Sequence, residues 1–154
     1  MKQIRIGVVG CGNISRSHMK SLAAFPERVR VVAVADVVQD RAEARAREFG
    51  VPSVCRDLGE MLEKHGAELD AVDLLTPHHL HYEELSRCLE AGKHVMMEKP
   101  ICSNLDECRR LRVTLTRHPH LKVCVGYSWR FGFREVKQAI DAGRIGTVFC
   151  AEAD

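Results

Sequence analysis

The tightest constraint on this chain lies near its start, where an apolar run from Ile4 to Val9 passes directly into Gly10-Cys11-Gly12-Asn13-Ile14-Ser15. A helical pattern begins inside that turn and runs to Ala24, with Met19 and Leu22 on its apolar side. Strand, tight turn and helix in immediate succession make a ready anion site. Gly10 permits the turn, Gly12 lets the backbone approach a diphosphate with no side chain in the way, and the free N–H groups of the helix start face the negative charge. Ser15 stands where the dinucleotide fingerprint has its third glycine, and it is small enough to keep helix and strand close. The expected contacts at this turn are Gly10, Cys11, Gly12, Asn13 and Ile14. Methyltransferases that bind S-adenosylmethionine carry a similar turn, so the turn alone does not choose the cofactor.

Downstream, short Val- and Ile-rich runs alternate with helical segments, the pattern of βαβ units feeding a parallel sheet. The predicted strands are Ile4 to Val9, Val29 to Ala35, a weak one near Val54, Asp70 to Leu75, His94 to Met97, and Leu121 to Val125. Predicted helices cover Ile14 to Ala24, Val38 to Phe49, Asp57 to Lys64, Pro77 to about Ala91, and Asn104 to about Arg117. Gly50 and Gly92 sit where left-handed caps are usual. The expectation is an α/β, Rossmann-type, doubly wound and mainly parallel sheet over residues 1–126. Past Gly126 a basic aromatic stretch, a helix to Ala142 and a strand from Thr147 to Ala153 are expected, so residues 127–154 read as the start of a second, α+β substrate domain. That last strand has no evident partner, which predicts that the natural polypeptide continues into a further sheet.

Composition supports one soluble globular unit: 154 residues, 45% hydrophobic and 29% charged. The formal charge of +2 is spread without a basic block, which argues against nucleic acid and against a membrane surface as partners. The seven cysteines are scattered, odd in number and free of any C-x-x-C pair, so a reduced, cytoplasmic setting is expected.

The second strand ends in Asp36, 24 positions past Gly12, where an acidic side chain accepts hydrogen bonds from the adenosine ribose hydroxyls. A carboxylate there repels a 2′-phosphate, so NAD is favoured over NADP, with Arg41 nearby in sequence pulling the other way. Ligands of an open α/β sheet bind beyond the carboxyl ends of its strands. That places weight on Thr76-Pro77-His78-His79-Leu80-His81 and on Glu98-Lys99-Pro100. His78, His79 and His81 lack a carboxylate or cysteine at ligand spacing, so no metal is expected. His18 reads as a packed or exposed helix residue rather than a catalyst, and Cys11 as small-residue packing.

Thr76-Pro77 with His81, Ala91-Gly92-Lys93-His94 and Glu98-Lys99-Pro100, at their mutual spacing, resemble the N-terminal domains of the family of glucose-fructose oxidoreductase, inositol dehydrogenase and the Rhizobium inositol-catabolism proteins. The resemblance extends to Trp129-Arg130-Phe131 and to Gly143-Arg144-Ile145-Gly146, and so covers nearly the whole chain. It departs from the family at His78, where many relatives have Asn, and at Phe133, where many have proline.

The resemblance implies an NAD(P)-dependent oxidoreductase moving hydride between a nicotinamide and a hydroxyl carbon of a sugar, inositol or related polyol. Lys99 is then the catalytic lysine, followed by a bond that is often cis. Thr76, Pro77, His78, His81, Glu98, Lys99, Trp129 and Arg130 join the turn residues and Asp36 as cofactor contacts. It also implies a homo-oligomer built through a C-terminal domain, from which a catalytic histidine would come. Residues 1–154 alone are expected to bind dinucleotide without turning substrate over. A dinucleotide- or sugar-sensing regulatory protein of the same fold is the alternative, because fold does not dictate function.

Overall fold

A computed structural model describes residues 3–127 and 133–150. Six strands, β1 (Ile4–Val9), β2 (Val29–Ala35), β3 (Ser53–Cys55), β4 (Ala71–Leu74), β5 (His94–Met97) and β6 (Val123–Val125), form one sheet in the order β3-β2-β1-β4-β5-β6. Every pairing is parallel. The strand order reverses between β1 and β4, so the ends of these two strands open a crevice, the place where ligands bind in such sheets.

The helices are α1 (Asn13–Ala23), α2 (Gln39–Phe49), α3 (Leu58–His65), α4 (His81–Glu90), α5 (Leu105–Arg117) and α6 (Arg134–Asp141). Alternation along the strands sorts the core into two layers. Val8, Val34 and Leu75 face α1 and α2, meeting Met19, Ala42 and Ala46, whereas Val9, Ala35 and Leu74 face the α3, α4 and α5 side, meeting Leu58, Met61, Leu85 and Leu111. The heavily charged α2 buries only Ala42 and Ala46, four residues apart on one stripe, and ends at Gly50 with φ of 66°.

Two helix starts are fastened alike. The Asp57 side chain accepts the Glu60 N–H at the head of α3, and Asn104 accepts the Glu107 N–H at the head of α5. In each case the glutamate reaches back to the N–H before the cap, Glu60 to Arg56 and Glu107 to Ser103, satisfying donors the helix cannot. Gly7 leaves room for this layer: a Cβ there would lie 2.4 Å from Met61 Sδ.

The expected strand from Thr147 to Ala153 is not formed in its described part, since residues 147–150 are irregular. A strand needs a neighbour to take its N–H and C=O groups, and no described strand lies beside this segment. Residues 151–154, and the expected contacts Trp129 and Arg130, lie outside the described residues. Among the described residues no helix is long and apolar enough to cross a membrane.

Candidate nucleotide-binding and catalytic site

The β1–α1 turn is locked from behind and open in front. Gly10 has φ of 94°, and a Cβ on it would lie 2.6 Å from the Leu75 carbonyl oxygen. Gly12 is the N-cap of α1 with no side-chain cap, and the space where its Cβ would stand is empty to 4 Å. No acidic residue occupies the first turn of α1. Unclaimed helix N–H groups beside an open glycine, with no carboxylate to repel an anion, fit a diphosphate.

Behind the turn, buried Ser15 donates its hydroxyl to Gly12 O at 2.6 Å and accepts from Arg45 Nε at 3.0 Å. The same guanidinium reaches Gly12 O at 3.3 Å and pairs with Glu48 at 2.5 Å. Ser15 thus replaces the third glycine with a side chain that ties the turn to α2.

Cys11 points inward: its thiol is directed at Ala35 O, burial pushes its pKa up to about 11, and its N–H donates to Asp36 Oδ2 at 2.7 Å. Its thiol and its amide are both engaged within the protein, so the side chain packs the turn against β2. Asp36 receives a second N–H, from Val38, at 2.8 Å on Oδ1. Both carboxylate oxygens are fixed, and each keeps a lone pair for a hydroxyl.

A groove of about 560 Å³ opens at these strand ends. Gly10, Gly12, Asn13, Ile14 and Asp36 line one wall, and Thr76 and Pro77 another. Arg41 and Arg56 also border it, so two guanidiniums share the groove with Asp36.

Of the expected β4-loop residues, His78 is exposed and its carbonyl accepts from Ser103 Oγ at 3.1 Å. His79, not singled out as a contact, borders the groove. His81 is fully buried, with Nδ1 2.5 Å from Pro100 O and Nε2 2.9 Å from Thr76 O. Both ring nitrogens face backbone carbonyls, and the ring braces the two loops. Among the described residues no cluster of three or more His, Cys, Asp or Glu side chains is arranged to hold a metal ion.

Beyond β5 the Lys99–Pro100 bond is cis, and Lys99 is exposed at the strand end, outside the lining of the main groove. Among the described residues its ammonium takes part in no hydrogen bond or ion pair. Next to it, Glu98 Oε1 lies 3.3 Å from His18 Nε2, and His18 Nδ1 lies 2.9 Å from Asp73 Oδ2. Asp73 is 1% exposed, a carboxylate deep in β4. The hydrogen bond from Asp73 raises the His18 pKa against the opposing effect of burial, and Glu98 adds to the rise. The ring, set between two carboxylates, thus links the Glu98 side chain to the sheet.

This trio was not anticipated. The available signal was Asp73 itself, a lone carboxylate in the apolar run Ala71-Val72-Asp73-Leu74-Leu75, which needs a buried partner.

Residues 4–127 match the GFO/IDH/MocA family model, described as an oxidoreductase family with an NAD-binding Rossmann fold. An inositol 2-dehydrogenase 3 of Saccharopolyspora erythraea is 33% identical over 153 residues, 96% of this chain and 44% of that protein. The scyllo-inositol 2-dehydrogenase (NAD(+)) of Bacillus subtilis is 33% identical over 146 residues, 94% of this chain and 42% of that protein. The crystal structure of scyllo-inositol dehydrogenase from Lactobacillus casei with bound NAD(H) and scyllo-inositol superposes with a TM-score of 0.86 at 32% identity, covering 94% of this chain and 43% of that one. This chain therefore spans less than half the length of these relatives. With four-fifths of the chain inside the family match, on a six-stranded parallel sheet with an open glycine turn at its switch point, the chain belongs to the GFO/IDH/MocA oxidoreductase family, NAD-binding Rossmann fold.

Proposed function

We propose that this chain is the nucleotide-binding part of an NAD-dependent dehydrogenase that oxidises a hydroxyl carbon of inositol or a related polyol. In this reading residues 1–126 hold the dinucleotide, and residues 127–154 lead toward the substrate-binding part. The observation that carries it is the joint placement, at the carboxyl ends of the strands, of an anion-ready turn on β1, a fixed carboxylate on β2 and an unpaired lysine after β5. The names of its relatives support the substrate class.

Bound NAD supplies the hydride acceptor. The turn holds the diphosphate through backbone N–H groups, and Asp36 accepts from ribose hydroxyls, disfavouring a 2′-phosphate. Lys99 Nζ donates to the substrate hydroxyl oxygen and stabilises negative charge as it develops there, while the hydroxyl proton passes to the histidine expected from the substrate-binding part. Glu98, anchored through His18, keeps the backbone of that loop in place. The protein works in the cytoplasm as a homo-oligomer; free cysteines throughout fit a reduced compartment.

The test is a screen of inositols and sugars with the full-length protein, following NADH absorbance beside a dinucleotide titration. Tight NAD binding with no turnover on any polyol would replace the dehydrogenase reading with a sensor.

A further inference from the structure

Glu84, in the first turn of α4, is a carboxylate on the groove wall that the dinucleotide reading leaves without a task. We propose that Glu84 reads the base of the bound dinucleotide, its carboxyl oxygen accepting a hydrogen bond from the exocyclic amine of adenine. The inference rests on the dinucleotide reading of the groove.

The placement follows from the order of groups along the ligand. With the diphosphate at the β1 turn and the ribose at Asp36, the nicotinamide half extends toward Lys99 past β4 and β5, and the base must lie on the other side of Asp36. The groove is also walled by Val37 just past β2, by Leu58 at the start of α3 and by Pro77 and Leu80 from the β4 loop. Apolar walls of this kind accept the faces of a flat ring but do not distinguish one purine from another.

Glu84 adds the missing polarity. Thr76 Oγ1 donates to Glu84 Oε2, which fixes the carboxyl group and leaves Oε1 as its second acceptor. The group is half-buried, and burial raises its pKa in spite of the Thr76 hydrogen bond. A carboxyl group carried at that cost beside a site for an anionic ligand calls for a compensating donor, and the adenine amine is the donor a dinucleotide offers there. Hypoxanthine, with a carbonyl oxygen in place of that amine, would set acceptor against acceptor.

The test compares NAD with nicotinamide hypoxanthine dinucleotide by calorimetric titration of the full-length protein. The expected result is a preference for NAD of about tenfold or more, the scale of one hydrogen bond lost to a charged or buried group. Glu84→Ala should bring the two ligands together. Glu84→Gln should favour the hypoxanthine ligand, because its Oε1 can keep the Thr76 bond while its amide N–H faces the base. A merely structural Glu84 would not reverse the order. Equal binding of both ligands by the unaltered protein, or an NAD preference surviving in both variants, overturns the inference while leaving the dinucleotide reading standing. Failure of the unaltered protein to bind either ligand overturns both. Circular dichroism confirms that each variant is folded before titration.

Discussion

His18 and Asp73, 55 residues apart in sequence, meet at 2.9 Å, and the far side of the ring meets Glu98 at 3.3 Å. Because Asp73 raises the His18 pKa above its ordinary 6.5, the folded state binds a proton that the unfolded chain releases more readily. The stabilisation is therefore complete below about pH 6.5 and is lost as pH rises through the higher folded-state value. Urea unfolding at about pH 6 and about pH 9 should show a larger loss of stability with rising pH for the natural protein than for His18→Gln. Identical pH dependence in the two would remove the charged pair. His18→Ala should cost roughly 3 kcal/mol, because it strands a buried carboxylate.

The two glycines of the turn should fail differently. Gly10→Ala forces a side chain into left-handed backbone and against the Leu75 carbonyl, so destabilisation of roughly 2–4 kcal/mol is expected. Gly12→Ala meets no neighbour within 4 Å and should leave the melting temperature near that of the natural protein. Its cost should fall on the ligand: NAD affinity should drop about tenfold or more as the methyl group occupies the diphosphate's place. A thermal melt and a titration on each variant settle the contrast, and Gly12→Ala with unchanged affinity would move the diphosphate elsewhere.

Asp36→Ala should lower NAD affinity by about tenfold to a hundredfold, the scale of hydrogen bonds to a charged group. NADP should be hurt less or helped, since Arg41 and Arg56 border the same groove and would no longer be opposed by the carboxylate. Parallel titrations with the two cofactors measure this. An unaltered ratio would assign the discrimination to other residues.

Lys99 is exposed and its ammonium makes no described contact, so Lys99→Ala should leave stability unchanged. In the full-length protein the same change should reduce turnover by about a hundredfold or more while NAD affinity is kept. Steady-state kinetics beside a binding titration decides the matter, and full activity in the variant would end the catalytic assignment.

The strand and helix pattern was legible because the βαβ period is local: each apolar run sits beside its own turn residues. The terminal strand was not, because strand formation depends on a neighbour that the run Thr147 to Cys150 does not itself supply. Within the site, the glycine turn and Asp36 could be placed from spacing, since both belong to one βαβ unit. The partners of His18 come from two other strands, and the burial of His81 depends on Pro100, 19 residues later. Contacts of that range leave no periodicity in a single sequence. The inward aim of the Cys11 thiol was not legible either, because a position beside the ligand turn says nothing about which way a side chain points.

The imidazole of His81, wedged between Thr76 and Pro100, makes one mechanical body of the loops after β4 and β5. Thr76 borders the groove and Pro100 follows Lys99, so any displacement of one loop by an arriving ligand must drag the other or break a buried hydrogen bond. The groove wall and the loop that carries Lys99 are thereby held at one spacing, with the histidine ring as the spacer between them.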